Sequence, residues 1–413
     1  MTDRTDTIIW PDLAPRRTGR TGSRLANAPA RLAGLLTAAA ALLTGLAPGA
    51  SANARDWSSL ALSGPHTAGN LAVYFLHGPS QPGPVPLTLG EALKQARVVV
   101  HETGNVERLE IENTGGEAVF VQAGDIVKGG RQDRVLTVSL LIPPRSGRVA
   151  IGSYCVEQGR WARRGAESAT RFTSAEARMP SLAAKRSLYA RNAVSSREAQ
   201  RAVPALRSHC GARADQSRPD VQQRIGTLNR MPGTGARNEA RLRQAEIWAD
   251  VAVVQRKLGA NLATSVRSRV SGSSLQLSLE NQKLAEAREK LASQLRSHGT
   301  ARDDIVGYAF AINGRINSVE VYSSNGLFRK MWPKLLQATA TEAIAEQDAP
   351  AATTTVPASE KEKAFIAETA RADATRDRLN ADLVSERRET ERTIANEIRR
   401  ADGTMVHLSI LAR

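Results

Sequence analysis

Aromatic residues make up only 4% of this 413-residue chain, and cysteine occurs just twice, at Cys155 and Cys210. No aromatic stacking series accompanies the arginines of residues 162–243, as a single-strand nucleic-acid binder would want. Two cysteines build no disulfide scaffold; at most one bridge joins them in an oxidising compartment. The six histidines, His66, His77, His101, His209, His298 and His407, show no ligand spacing, so neither a metal site nor a cofactor is expected. No serine sits in a nucleophile elbow, no glycine run has the order of a phosphate-binding P-loop, and no internal repeat is visible. Negative charge is also short: 57 Lys and Arg against 41 Asp and Glu leave a net charge of +16, which favours anionic partners. The 41% apolar content is enough for a core.

The N-terminal residues 1–54 read as a signal peptide. Arg16, Arg17, Arg20, Arg24 and Arg31 precede an uncharged apolar run, Leu32 to Ala47, that is short for a bilayer span and suited to a signal-peptide core. Ala52-Asn53-Ala54 fits the small-residue cleavage pattern, with Ala50-Ser51-Ala52 as the alternative. The expectation is export to the periplasm or the extracellular space, with no integral membrane anchor after processing. Mass analysis of the secreted form checks it, and an intact Met1 contradicts it.

The rest of the chain predicts an α+β fold: an antiparallel β-sandwich or small barrel at the N-terminal side, followed by helices and two β-hairpins. Residues 55–161 carry six short apolar or alternating runs, Leu71 to Leu76, Val98 to His101, Leu109 to Glu112, Ala118 to Gln122, Val135 to Ile142 and Val149 to Val156. Thr88 and Glu91 form a capping-box signature for one short helix among them. Residues 162–238 read as a basic, low-pattern, partly disordered insertion. Counted over 162–243 the stretch holds 17 basic and six acidic residues. Its alternative role is an arm for an envelope polyanion, which salt would weaken steeply.

Residues 239–348 predict a helical pair, a β-hairpin and a helix. Ile247, Val251, Val254 and Leu258 share one helical face with Gly259 as a cap, and Leu277, Leu284, Leu291 and Leu295 share another, stopped by Gly299. The two helices are expected to form an αα-hairpin or to lie on the β domain. Asn313-Gly314 marks a type I′ turn, and Pro333 a kink or a fresh helix start. Residues 349–413 predict a linker, an exposed charged helix over Ser359 to Glu389, and a hairpin about Asp402-Gly403. His407 and Ser409 share one face of that hairpin and read as an exposed strand face.

Two dense motifs stand out. Gly124 to Arg134 packs charges and glycines into a short turn between apolar strands, and offers Lys128, Gly129, Gly130, Arg131, Gln132, Asp133 and Arg134. Tyr154 to Trp161 offers Glu157, Gln158, Arg160 and Trp161, and an antiparallel domain can bring the two together. Gln244 and Trp248, one turn apart on a helix, complete the set. Two readings fit. The arginines grip an anionic small molecule, with Trp161 stacking on a ring and Asp133 or Glu157 in a polar or acid/base role. Alternatively, Asp133 and Glu157 neutralise arginines buried in a closed charged core.

These three elements resemble the ARG and rhodanese-phosphatase-superfamily-associated protein domain, over roughly Leu71 to Glu346. The resemblance implies association with ADP-ribosylglycohydrolases and rhodanese-like phosphatases, and transfers no catalytic residue. The leading functional expectation is an exported domain binding a nucleotide-like or ADP-ribose-like anion. The runner-up is a non-catalytic structural or interaction module.

Overall fold

A computed structural model describes residues 57–189, 235–347 and 356–413. The signal segment, Cys210 and residues 190–234 of the basic stretch lie outside the described residues, and with Cys210 the proposed disulfide. The described part is an α+β fold with three sheets. The largest runs β1 (Ala61–Ala68), β2 (Leu71–His77), β12 (Ile305–Ile312), β13 (Arg315–Tyr322), β17 (Met405–Ala412), β16 (Thr393–Arg400), β15 (Leu383–Glu389) and β14 (Ala374–Arg378), all antiparallel. The second is a half-barrel of β11 (Phe172–Arg178), β7 (Asp125–Gly129), β8 (Arg134–Leu136), β10 (Gly147–Cys155), β5 (Arg108–Asn113) and β4 (Val98–Asn105). The third is small: β3 (Leu87–Thr88), β6 (Val119–Val121) and β9 (Leu140–Ile142).

The helices are α1 (Leu89–Lys94), α2 (Leu182–Tyr189), α3 (Gly235–Asn261), α4 (Leu275–Leu279), α5 (Gln282–Leu295), α6 (Asn325–Ala345) and α7 (Ser359–Arg371). All eight residues of β12 are buried, as a central strand covered on both faces requires. Tyr308, Phe310 and Tyr322 turn to one face and meet Phe328, Met331 and Trp332 of α6 together with Phe120. Ala309, Ala311, Val319 and Val321 turn to the other and meet Phe365 and Ile366 of α7. Because β2 pairs with β12 and β13 with β17, one sheet draws on three of the segments read from the sequence.

Local signals translate directly. Thr88 Oγ1 accepts from Glu91 N at 3.2 Å while Glu91 Oε2 accepts from Thr88 N at 2.8 Å, closing the capping box. Asn313 and Gly314 take φ of 51° and 73°, the double left-handed pair a type I′ turn needs, between β12 and β13. A second hairpin joins β16 to β17 around Asp402-Gly403.

Several expectations are corrected. The Ser359 to Glu389 run is helical only to Arg371; β14 and β15 follow because its charges pair across strands, Arg376 facing Glu386 at 2.8 Å, instead of along a helix. Val135 to Ile142 is two strands in different sheets, broken where Ser139 Oγ turns to accept from Ala123 N. The low-pattern stretch contains β11 and α2; two register shifts in the β7–β11 pairing blur the alternation that would have marked the strand. The leucine helix is two helices, α4 and α5, parted where Asn281 caps the second. They form no simple hairpin with α3: α5 packs principally on α6 and β1. Helix α3 runs past Gly259 to Asn261, and α6 continues through Pro333, held by Trp332, Leu335 and Leu336 in the core. His407 and Ser409 are buried.

Candidate functional site

The charged run Gly124 to Arg134 is half strand and half turn, since Asp125–Gly129 forms β7 and the chain reverses into β8. Gly129 and Gly130 have φ of 121° and 57°. A Cβ on Gly129 would lie 3.0 Å from the Arg171 carbonyl oxygen, and one on Gly130 2.5 Å from the Phe172 ring, so the glycine pair admits β11 alongside the turn. The Asp133 side chain closes that turn, its Oδ1 accepting from Gly129 N at 3.0 Å.

Around Asp133 the two motifs meet in a closed ion-pair cluster. Arg164 donates to both Asp133 oxygens, Nη1 to Oδ2 at 2.8 Å and Nη2 to Oδ1 at 3.0 Å. Ser274 Oγ donates to Oδ2 at 2.8 Å while accepting from Leu277 N, so the N-cap residue of α4 also binds Asp133. Arg160 Nη2 pairs with Glu157 Oε2 at 2.6 Å, and Arg160 Nη1 donates to the Gly130 carbonyl at 3.1 Å. Arg134 pairs with Glu102 at 3.1 Å. Asp133, Glu157 and Arg134 are fully buried. Burial works against the Arg164 charge, yet its hydrogen bonds to Asp133 and the carboxylates of Glu167 and Glu157 raise its pKa above the ordinary guanidinium value.

The other predicted residues lie around this cluster, Gln132 and Gln244 among them buried. Arg131 and Arg134 lay their guanidinium groups over Trp161, 5.5 and 5.4 Å from the ring centroid. Trp161 and Trp248 each pack against the pair Val106 and Cys155. Gln132 Nε2 donates to the Glu157 carbonyl at 2.8 Å, and Gln158 meets Ser273 through its backbone alone. Gln244 accepts from Cys155 N at 2.8 Å and donates to Cys155 O at 2.9 Å, a side-chain amide continuing the edge of β10. Lys128 points away and pairs with Glu280 at 2.7 Å. Sequence reasoning missed Glu102, Arg164 and Ser274. Arg164 lay inside the stretch read as an insertion, and nothing local marks the other two.

A second buried polar group lies between β6 and the large sheet. Glu320 Oε1 pairs with Arg178 at 2.7 Å and Oε2 with His407 at 2.9 Å, while Gln122 donates to Oε2 at 3.1 Å and accepts from the Tyr322 hydroxyl at 3.0 Å. Burial alone would raise the Glu320 pKa, but Arg178 and His407 hold it down at about 2. Among the described residues no group of three or more His, Cys, Asp and Glu is placed to hold a metal ion.

No curated protein and no solved structure matches the chain significantly. A family match does, and it extends beyond the three motifs at both ends, from the first strand of the large sheet to the last. With residues 59–411 matched, the chain belongs to the family of the ARG and Rhodanese-Phosphatase-superfamily-associated Protein domain.

Proposed function

We propose that the Asp133 and Glu157 cluster is a structural clasp and that the chain acts as a non-catalytic structural or interaction module. The observation carrying this reading is the closure of the cluster. Both carboxylates are fully buried, and Arg160, Arg164, Ser274 and backbone amides take up their oxygens. The clasp ties the β7–β8 turn to the end of β10 and to α4. Removing one partner of such a pair costs about 3–5 kcal/mol, because the other charge stays buried. Arg164→Ala is therefore expected to lose about that much stability in urea denaturation.

A second reading, an anionic small molecule of nucleotide or ADP-ribose type held at the same cluster, is favoured by Arg131. Its guanidinium lies over Trp161 and has no ion pair among the described residues. This reading predicts that AMP or ADP-ribose raises the melting temperature and that Arg131→Ala abolishes the rise. The clasp reading predicts no rise, and wild-type stability in Arg164→Ala would contradict it.

Export remains part of the proposal, supported by the arginine-rich start and apolar run of residues 1–54. Among the described residues no helix is long and apolar enough to cross a membrane. A polyanion would meet the basic stretch through arginines other than Arg164 and Arg178, which Asp133 and Glu320 already hold.

A further inference from the structure

Away from the clasp, an open cleft of about 680 Å³ lies between α1, β11, α4, α5 and α6. That is the size of small-ligand sites, roughly 300–1,000 Å³. Two cations belong to the frame of its wall: Arg178 is held by Glu320 at 2.7 Å and Lys334 by Asp125 at 2.8 Å. Lys94 and Lys330 are more accessible, and Lys94 pairs with Glu176 of the same cleft at 3.2 Å. Lys330 stands 3.5 Å from Glu91, whose Oε2 already accepts from the backbone and hydroxyl of Thr88.

Arg288 differs from all of these. It has no ion pair among the described residues; its Nη1 donates to the Leu279 carbonyl at 3.2 Å, and its Nε is buried without a partner. Burial lowers its pKa from the ordinary guanidinium value, with only Glu289 acting in the opposite sense.

Gln276 supplies the complementary feature. It is 4% exposed and lines the cleft, and its Nε2 donates to Glu280 at 2.8 Å, the carboxylate that Lys128 also grips. A carboxylate only accepts, so the amide nitrogen must face Glu280 and the oxygen must turn the other way. That oxygen, Oε1, is buried with no hydrogen-bond partner. A buried acceptor left so costs about 1–3 kcal/mol until a donor reaches it. The wall of the cleft therefore contains a guanidinium without an ion pair among the described residues on α5 and a buried acceptor without a hydrogen-bond partner on α4, and the bond from Arg288 to Leu279 draws the two helices together.

We propose that this cleft binds a small phosphorylated polyol, its phosphate on Arg288 with Lys330 and Lys94 adding positive charge, and a hydroxyl of the same molecule donating to Gln276 Oε1. Arg288, with the two more accessible lysines only partly neutralised by Glu91 and Glu176, suits a phosphate dianion better than a carboxylate, and the lone acceptor selects for a neighbouring O–H. The site shares no residue with the Asp133 clasp, so its failure leaves that reading intact.

The test is calorimetric titration of the full chain with glucose 6-phosphate, inorganic phosphate and glucose. Glucose 6-phosphate is expected to bind most tightly and glucose weakest. Arg288→Met should weaken both phosphates about tenfold, the loss of one charge-assisted contact. Gln276→Leu should weaken glucose 6-phosphate and leave inorganic phosphate unchanged, a split that a general structural defect would not produce. Lys330→Met, a change at a partly exposed side chain, should weaken both by a few-fold. The proposal is overturned if neither phosphate binds saturably to the wild-type chain, if glucose binds as tightly as its phosphate, or if Arg288→Met and Lys330→Met bind like wild type.

Discussion

Two fully buried glutamates, Glu320 and Glu362, lie on opposite faces of the eight-stranded sheet and end in opposite states. On the face turned to β6 and α6, Glu320 has Arg178, His407 and Gln122 around it and is held down at about 2. On the other face, under α7, Glu362 is equally inaccessible, neither of its oxygens has a hydrogen-bond partner, and burial pushes it up to about 8. Burial is common to both, so between these two the partners make the difference. Glu320 is locked by ion pairs, whereas Glu362 is driven toward the neutral carboxylic acid.

The largest expected effect breaks the locked face. Arg178→Met leaves Glu320 with His407 and Gln122 but without its guanidinium, at an expected cost of about 3–5 kcal/mol at neutral pH. Glu320 is depressed in the fold, so its stabilisation is present above its unfolded value near 4.5 and is lost as pH falls toward 2. Urea denaturation at pH 7 and pH 4 should show the Arg178→Met deficit shrinking on the acid side. A deficit below about 1 kcal/mol at pH 7 would remove the contrast between the faces.

A smaller effect sharpens the other face. Glu362 is raised in the fold, so its cost is absent below about 4.5, grows as pH rises, and is complete above about 8. Glu362→Gln should remove this alkaline loss and be more stable than wild type at pH 8.5 by a few kcal/mol. The neighbouring Tyr74, pushed up to about 12 by burial and by Glu362, titrates outside this window. Equal stability-versus-pH slopes for wild type and variant between pH 5 and 8 would contradict the assignment.

Features fixed by neighbouring residues were legible in the sequence. The Thr88 and Glu91 box needs three residues of chain, the Asn313-Gly314 turn needs two, and the Ile247 to Leu258 stripe needs one helix. The alternating apolar runs were enough for an antiparallel α+β fold. What was hidden depends on distant partners. Arg164 lies 31 residues from Asp133, Arg134 lies 32 from Glu102, and Ser274 lies 141 from Asp133. No local period encodes those separations. For the same reason the charges of Arg376 and Glu386 pointed to a helix, although their alternation suits a strand once β15 lies beside β14.

The contrast between paired and unpaired carboxylates returns to the clasp, where two buried acids share two arginines. A double-mutant cycle of Asp133→Asn and Arg164→Gln, read by urea denaturation, tests its structural role most directly. Each single change should be strongly destabilising, and the double mutant should recover about 1–3 kcal/mol of the summed losses, the coupling of a buried pair. Additive losses with coupling near zero would mean that Asp133 and Arg164 do not hold the fold together through each other.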